Sequence, residues 1–235
     1  MTAPLRRTRV HQPTHRLIAS RYPTVGVFDD LTRDPEDIKI AILLESATND
    51  RLSLLSRRLA LLPNEEIAQG NGATLVMAAF LHAHETGGRF TDHRLGAWYA
   101  SLDVETAIAE TVYHSERRLR LSEKGFPNTM QIRQLIASVD GAHVDIRGAQ
   151  KTRPALYDAQ DYTASRAWGV SLRWPQEGAG ADGILYDSVR RKGGVNVCVY
   201  RPSLVRLPIT QGAHYEYKWD QNGAVNVVEL RDVGV

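Results

Sequence analysis

With one cysteine in 235 residues, Cys198, the chain has no disulfide framework. That residue lies in the apolar run Val195-Asn196-Val197-Cys198-Val199-Tyr200, a setting for a buried strand thiol and not for a redox centre or metal ligand. No window approaches the ~18 uncharged apolar residues of a membrane-spanning helix. The start, Met1-Thr2-Ala3-Pro4-Leu5-Arg6-Arg7, has no apolar signal core, so a soluble, cytoplasmic protein without membrane contact is expected. Repeats and low-complexity tracts are absent, which excludes solenoid architectures. Excess charge is also scarce. A net charge of +2 gives no globally basic footprint, although arginines cluster at Arg6-Arg7-Thr8-Arg9, Arg117-Arg118-Leu119-Arg120 and Arg190-Arg191-Lys192. G-x-S-x-G, Walker and H-E-x-x-H sequences are missing, so serine-hydrolase, P-loop and zincin chemistry have no starting point.

What is present is an ordinary globular composition, 43% hydrophobic and 24% charged, at a length able to bury roughly 70% of its unfolded surface. A single domain over 16–235 is expected behind a mobile basic arm at 1–15. Asp34-Pro35-Glu36-Asp37 reads as a helix start, with a cap, proline at the first helical position and acids in the first turn. Amphipathic spacing runs on to Leu62, and an apolar helix is expected over Ala73–His82. Leu95–Leu102 reads as a short strand, followed by a helix capped by Asp103 and continuing to about Ser122. Beyond Met130 the period becomes two. Gln131–Val139 and Ala142–Arg147 flank Asp140-Gly141 as an expected hairpin, and a helix is expected over about Tyr162–Leu172. Gly183–Val189 and Val195–Tyr200 read as paired strands, and His214–Trp219 and Ala224–Leu230 as a last hairpin around Asn222-Gly223. The fold class is therefore α+β, with a helical front half on a mainly antiparallel sheet.

Two motifs are decoys. Gly178-Ala179-Gly180-Ala181-Asp182-Gly183 satisfies G-x-G-x-x-G, but Trp174-Pro175-Gln176-Glu177 before it is no buried strand and Ile184-Leu185-Tyr186 after it is no helix. A loop is expected there. His82 and His84 stand two apart and so point to different sides of a helix, which with Glu85 and His93 makes no metal site.

Four residues are candidates for chemistry, each with a plainer reading beside it. Arg89 follows Gly87-Gly88, where the backbone turns tightly and a guanidinium can grip phosphate oxygens; it can equally be a solvated loop arginine. Tyr99 can stack on a flat heterocycle or simply fill the strand's core face. Glu110 lies among Ala107, Ile108, Ala109 and Val112, as a carboxylate held near developing positive charge or as the partner of His114 four residues on. Ser188 can hydrogen-bond a ligand or be a satisfied strand hydroxyl.

The order of these features carries more than any one of them. Arg21-Tyr22, Gly88-Arg89-Phe90, Tyr99, Ala107-x-x-Glu110 and Tyr186-Asp187-Ser188-Val189-Arg190 leading through Gly193-Gly194 together resemble the RES-domain family, named for its Arg, Glu and Ser. The resemblance covers about residues 14–207 in outline, and its specific parts are 87–114 and 180–202. The family's members are NAD-consuming bacterial toxins with a split mixed β-structure similar to ADP-ribosyltransferases. The resemblance implies NAD as substrate with no metal, and NAD-pocket positions at Arg21, Tyr22, Arg89, Tyr99, Glu110 and Ser188. Arg16 is a rival to Arg21, because His15-Arg16 also looks like the family's opening arginine. A helical insertion at about 31–86 sets this chain apart from compact members. The same resemblance implies a cognate helix-turn-helix antitoxin and leaves the ADP-ribose acceptor open between water, phosphate and a protein target. The alternative of another class is a non-catalytic protein whose arginines bind nucleic acid or an acidic partner, with salt-sensitive binding and no NAD turnover.

Overall fold

Short apolar strands drawn from both ends of the chain build one sheet in the computed structural model, which describes residues 5–21, 34–46 and 50–231. They are β1 (Arg7–Thr8), β2 (Thr14–Ala19), β3 (Trp98–Ser101), β4 (Asn128–Ala137), β5 (His143–Asp145), β6 (Gly183–Asp187), β7 (Val195–Val199), β8 (Thr210–Trp219) and β9 (Val225–Leu230). Their order across the sheet is β1-β5-β6-β7-β3-β2-β4-β8-β9. All neighbours are antiparallel except β5 and β6, so the sheet is mixed and the fold is α+β. Around it, among the described residues, lie α1 (Pro35–Ser46), α2 (Asp50–Leu59), α3 (Ala73–Leu81), α4 (Val104–Arg120) and α5 (Thr163–Arg173). None of these helices is long and apolar enough to cross a membrane.

Side-chain alternation divides the core between the two faces. Leu185, Val197 and Val199 pack with Ile38 and Ile42 of α1, Leu59 of α2 and the apolar helix α3. Ile184, Tyr186 and Cys198 point the other way, onto Phe90 and onto Trp168 and Leu172 of α5. A third cluster seats Ala107 and Leu119 of α4 on Leu17, Ile132, Tyr215 and Tyr217. Burial of each large apolar side chain contributes roughly 1.5–3 kcal/mol, which is why these alternating stripes fix the strand faces.

Helix ends follow local chemistry. Asp103 caps α4 by accepting the Thr106 N–H at 2.8 Å, and Arg117, Arg118 and Arg120 occupy its last turn, where the helix dipole favours cations. Asp34 accepts the Glu36 N–H at 2.9 Å ahead of α1.

Three expectations are corrected. The Asp140-Gly141 signal does make a turn, with Gly141 at φ 95°, but it makes no hairpin. β4 pairs with β2 and β8 while β5 takes its ladder bonds from β1 and β6, and the turn itself is held by Asp182, which accepts the Ala142 N–H at 2.8 Å. Residues 7–8 and 14–15, expected within a mobile arm, are strand residues paired with β5 and β4. The strand expected over Leu95–Leu102 contracts to Trp98–Ser101.

One irregularity positions the site. β2 matches β4 over six residue pairs but touches β3 at a single pair, His15 with Ser101, so the sheet opens between β2 and β3.

Candidate active site

The loop that enters β3 is shaped by two glycines. Gly87 has φ +73°, and a Cβ there would lie 2.2 Å from the Thr91 carbonyl oxygen, so no other residue fits without moving the backbone. The Gly88 N–H donates to that same carbonyl at 2.8 Å. A Cβ on Gly88 would meet the Tyr99 hydroxyl at 2.8 Å. The tight turn sends Arg89 inward, where it is 7% exposed. Its Nη1 donates to the carbonyls of Leu156 (3.2 Å) and Asp158 (2.8 Å), and its Cζ lies 4.2 Å from the centroid of the Tyr162 ring. No carboxylate among the described residues pairs with it. A guanidinium held by carbonyls and an aromatic face, with no carboxylate partner, is placed to pair with an anionic ligand.

Tyr99 lies beneath this loop. Its hydroxyl oxygen accepts the Phe90 N–H at 2.9 Å and stands 3.2 Å from Thr91 Oγ1. Burial pushes its phenol well above the ordinary range, so it stays neutral. Arg16, on the adjacent β2, donates from Nη1 to the Tyr99 carbonyl at 2.9 Å and lies 5.1 Å from the Trp98 ring centroid. Burial lowers its guanidinium to about 10, which still leaves it protonated at neutral pH.

Across the opening, α4 presents Glu110. Its Oε1 accepts two hydrogen bonds, one from Ser188 Oγ and one from Asn196 Nδ2, both at 2.7 Å. Ser188 Oγ in turn accepts the Arg190 and Arg191 N–H groups at 3.0 and 3.1 Å. The carboxylate is thus oriented by a turn on one side and by β7 on the other. His114 is no ion-pair partner for it. Burial lowers the imidazole, the Glu110 charge opposes that, and Arg190, Arg89 and Arg118 lower it further, so the ring is neutral at pH 7.

These side chains line a cleft of about 700 Å³, within the 300–1,000 Å³ usual for small-molecule sites. Arg16, Arg89, Arg117, Arg118 and Arg166 outnumber its two carboxylates, Glu110 and Asp161, while Tyr99, Tyr162 and Tyr186 supply aromatic surface. Such a lining suits an elongated anion that carries a flat ring.

Of the residues singled out in the sequence, Arg89, Tyr99 and Glu110 line this cleft, as does Arg16. Ser188 follows the end of β6 and reaches the site through Glu110. Arg21 is exposed beyond the end of β2 and is not part of the lining, and Tyr22 falls outside the described residues. Asn196 was missed. Its signal is a lone amide within the apolar run of β7, where an unsatisfied polar group would be costly. The G-x-G-x-x-G segment is a loop that runs into β6, with no helix after it. Among the described residues, no group of three or more His, Cys, Asp or Glu could hold a metal ion.

Comparison with known proteins adds three findings. The chain is 27% identical over 206 residues to "Uncharacterized protein y4oC" of Sinorhizobium fredii (strain NBRC 101917 / NGR234), an alignment covering 88% of this chain and 82% of that protein. It is similar, at 14% identity and a TM-score of 0.44, to a chain in "Crystal structure of the M.tuberculosis MbcT-MbcA toxin-antitoxin complex", over 88% of this chain and 86% of that one. Residues 65–220 match the family model described as RES domain, a span that includes Arg89, Tyr99, Glu110, Ser188 and Asn196. By that match over more than half of its length, the chain belongs to the RES domain family.

Proposed function

We propose that this protein is a toxin enzyme that takes NAD as substrate, cleaves the bond between nicotinamide and ribose, and transfers ADP-ribose. The observation that carries this reading is the Glu110 carboxylate, held through Oε1 by Ser188 and Asn196 on the wall of an arginine-rich cleft. Nicotinamide departs as a neutral molecule, because the bonding pair returns to a pyridinium nitrogen and no acid is required. The barrier therefore lies in the cation-like ribose. A fixed carboxylate beside C1′ stabilises that charge without reorganising, and it can also accept a hydrogen bond from the 2′-hydroxyl.

Arg89 and Arg16 are assigned to the diphosphate, with Arg21 retained as a rival for the second position. Tyr99 and Tyr22 are assigned to packing against nicotinamide or its ribose. Ser188 acts in this reading by orienting Glu110, in place of direct contact with the amide or ribose. The nucleophile's lone pair forms the new bond to C1′ and its proton leaves to solvent. Water gives an NAD glycohydrolase, inorganic phosphate a phosphorylase and a protein side chain an ADP-ribosyltransferase. Membership in the RES domain family supports the toxin reading, and with it a cytoplasmic site of action and a helix-turn-helix antitoxin that blocks the cleft.

The test is to incubate wild-type and Glu110→Gln protein with adenine-labelled NAD and a cell lysate, following NAD loss and protein labelling together. Glu110→Gln is expected to bind NAD and lose rate by about 10²-fold or more. Near-normal turnover by that variant would remove Glu110 from the chemistry. Label on a discrete protein band identifies transfer, and NAD loss without a band identifies hydrolysis or phosphorolysis.

A further inference from the structure

Asn196 is 2% exposed near the start of β7, and its partner across the β3–β7 ladder is Ser101, 3% exposed. Ser101 Oγ donates to Asn196 Oδ1 at 2.7 Å, and Asn196 Nδ2 donates to Glu110 Oε1 at the same distance. Ser101, Asn196 and Glu110 therefore form a directed chain of donors that ends on a carboxylate oxygen. A reversed amide would set Oδ1 against Oε1, two acceptors with no proton between them unless Glu110 were protonated. On the other side the Ser188 hydroxyl, itself oriented by two backbone N–H groups, also donates to Oε1. Oε1 is thereby occupied, while Oε2 has no hydrogen-bond partner among the described residues and remains for a ligand.

We propose that Asn196 is a positioning residue for Glu110: its amide, oriented by Ser101, fixes Oε1 of the carboxylate and turns Oε2 toward the ribosyl carbon. This rests on the reading of Glu110 as the group that stabilises the ribosyl cation. Charge-assisted hydrogen bonds to a fixed carboxylate are about twice as strong as neutral ones, so the loss of this donor acts on the transition state and not on general NAD binding. Other groups face Glu110 from the surrounding elements. His114 lies one turn on in α4, Tyr186 comes from β6, and Arg190 follows β6, with Arg89 across the cleft. Burial holds both His114 and Tyr186 in their neutral forms at pH 7.

The experiment compares full-length wild type with Asn196→Asp, Asn196→Ala and Ser101→Ala. NAD turnover is measured from pH 5 to 9, and the Glu110 side-chain carboxyl is followed by 13C NMR without NAD. In Asn196→Asp two carboxylates share a proton across the former hydrogen bond, so the acidic limb of kcat should move up by about one pH unit or more, with KM within about twofold. The Glu110 carboxyl should titrate at a correspondingly higher pH than in wild type, which separates its effect from that of His114. Asn196→Ala should lower kcat about tenfold or more at unchanged KM. An unshifted Glu110 titration in Asn196→Asp, or a rise in KM at constant kcat, overturns the proposal. Should thermal unfolding show that both Asn196 variants are misfolded, Ser101→Ala decides: a several-fold fall in kcat at constant KM supports the proposal, and unchanged kcat rejects it. If wild type consumes no NAD at any pH, the functional reading fails, while the NMR titration still decides whether Asn196 controls Glu110.

Discussion

The Arg16 guanidinium donates to the main-chain carbonyl of Tyr99 at 2.9 Å, just past the single residue pair that joins β2 to β3. A side chain thus takes over a carbonyl that the neighbouring strand leaves unpaired. The opening of the sheet and the placing of a cation inside it are one event, because the same divergence that ends the ladder makes room for the guanidinium. A buried carbonyl without a donor would cost about 1–3 kcal/mol, so Arg16 stabilises the cleft as well as charging it.

This geometry separates the two rival arginines. Arg16→Ala is expected to weaken NAD binding by roughly tenfold or more, and Arg21→Ala, at an exposed position outside the cleft lining, by less than about threefold. Calorimetric titration of both variants with NAD checks this, and the reverse order would return the role to Arg21.

Gly88→Ala adds a methyl group 2.8 Å from the Tyr99 hydroxyl and 2.9 Å from Thr91 Oγ1. The loop that aims Arg89 must shift to admit it, so NAD turnover should fall about tenfold while the melting temperature changes little. Steady-state kinetics beside a thermal melt tests the pair of outcomes. A large drop in melting temperature would instead make the loop part of the structural core.

Asp145 gives a stability signature in acid. Burial alone would raise its carboxyl, but hydrogen bonds from Arg147 and Thr8 outweigh that and hold it at about 2. Its folded value lies below the unfolded one, so its contribution is fully present above about pH 4 and is lost as pH falls toward 2. Asp145→Asn should therefore be less stable than wild type by about 1–2 kcal/mol at pH 7, with the gap closing by pH 2 in denaturant titrations. A gap independent of pH would mean that packing, and not charge, explains the difference.

Cys198 is fully buried in β7, and burial pushes its thiol up to about 12. The native protein should resist a thiol-specific reagent at pH 8 until denaturant is added. Rapid labelling without denaturant would show that β7 opens readily.

Much of the cleft lining was legible in the sequence because its informative residues are local to turns and caps. Gly87-Gly88 announced a tight loop, Asp103 a helix start and Glu110 a carboxylate among small neighbours, and all three stand where local rules put them. What it hid was pairing across distance. The Asp140-Gly141 turn is real, but a turn signal does not say which strand the chain joins next, and the partners of β5 are β1 and β6, both far from it in sequence. Asn196 escaped for a related reason. Its partners, Ser101 and Glu110, lie far off in sequence, so its amide reads as a flaw in an apolar strand until the register sets it beside Ser101. Arg16 and Arg21 could not be ranked without the end of β2, which separates a residue on the cleft from one past the strand.

The long reach of that register also governs when a nascent chain could become active. Glu110 and Asn196 are 86 residues apart, and synthesis proceeds at roughly 5–20 residues per second, so an interval of about 4–17 s separates the carboxylate's emergence from that of its amide. Throughout that interval the growing chain holds Arg16, Arg89, Tyr99 and Glu110 but lacks β7, which pairs with β3 and fixes Glu110. A ribosome-bound intermediate therefore lacks the amide that orients Glu110, and so does any product truncated before β7. The complete cleft wall, with its carboxylate held from both sides, therefore exists only once β7, in the last third of the chain, has been made.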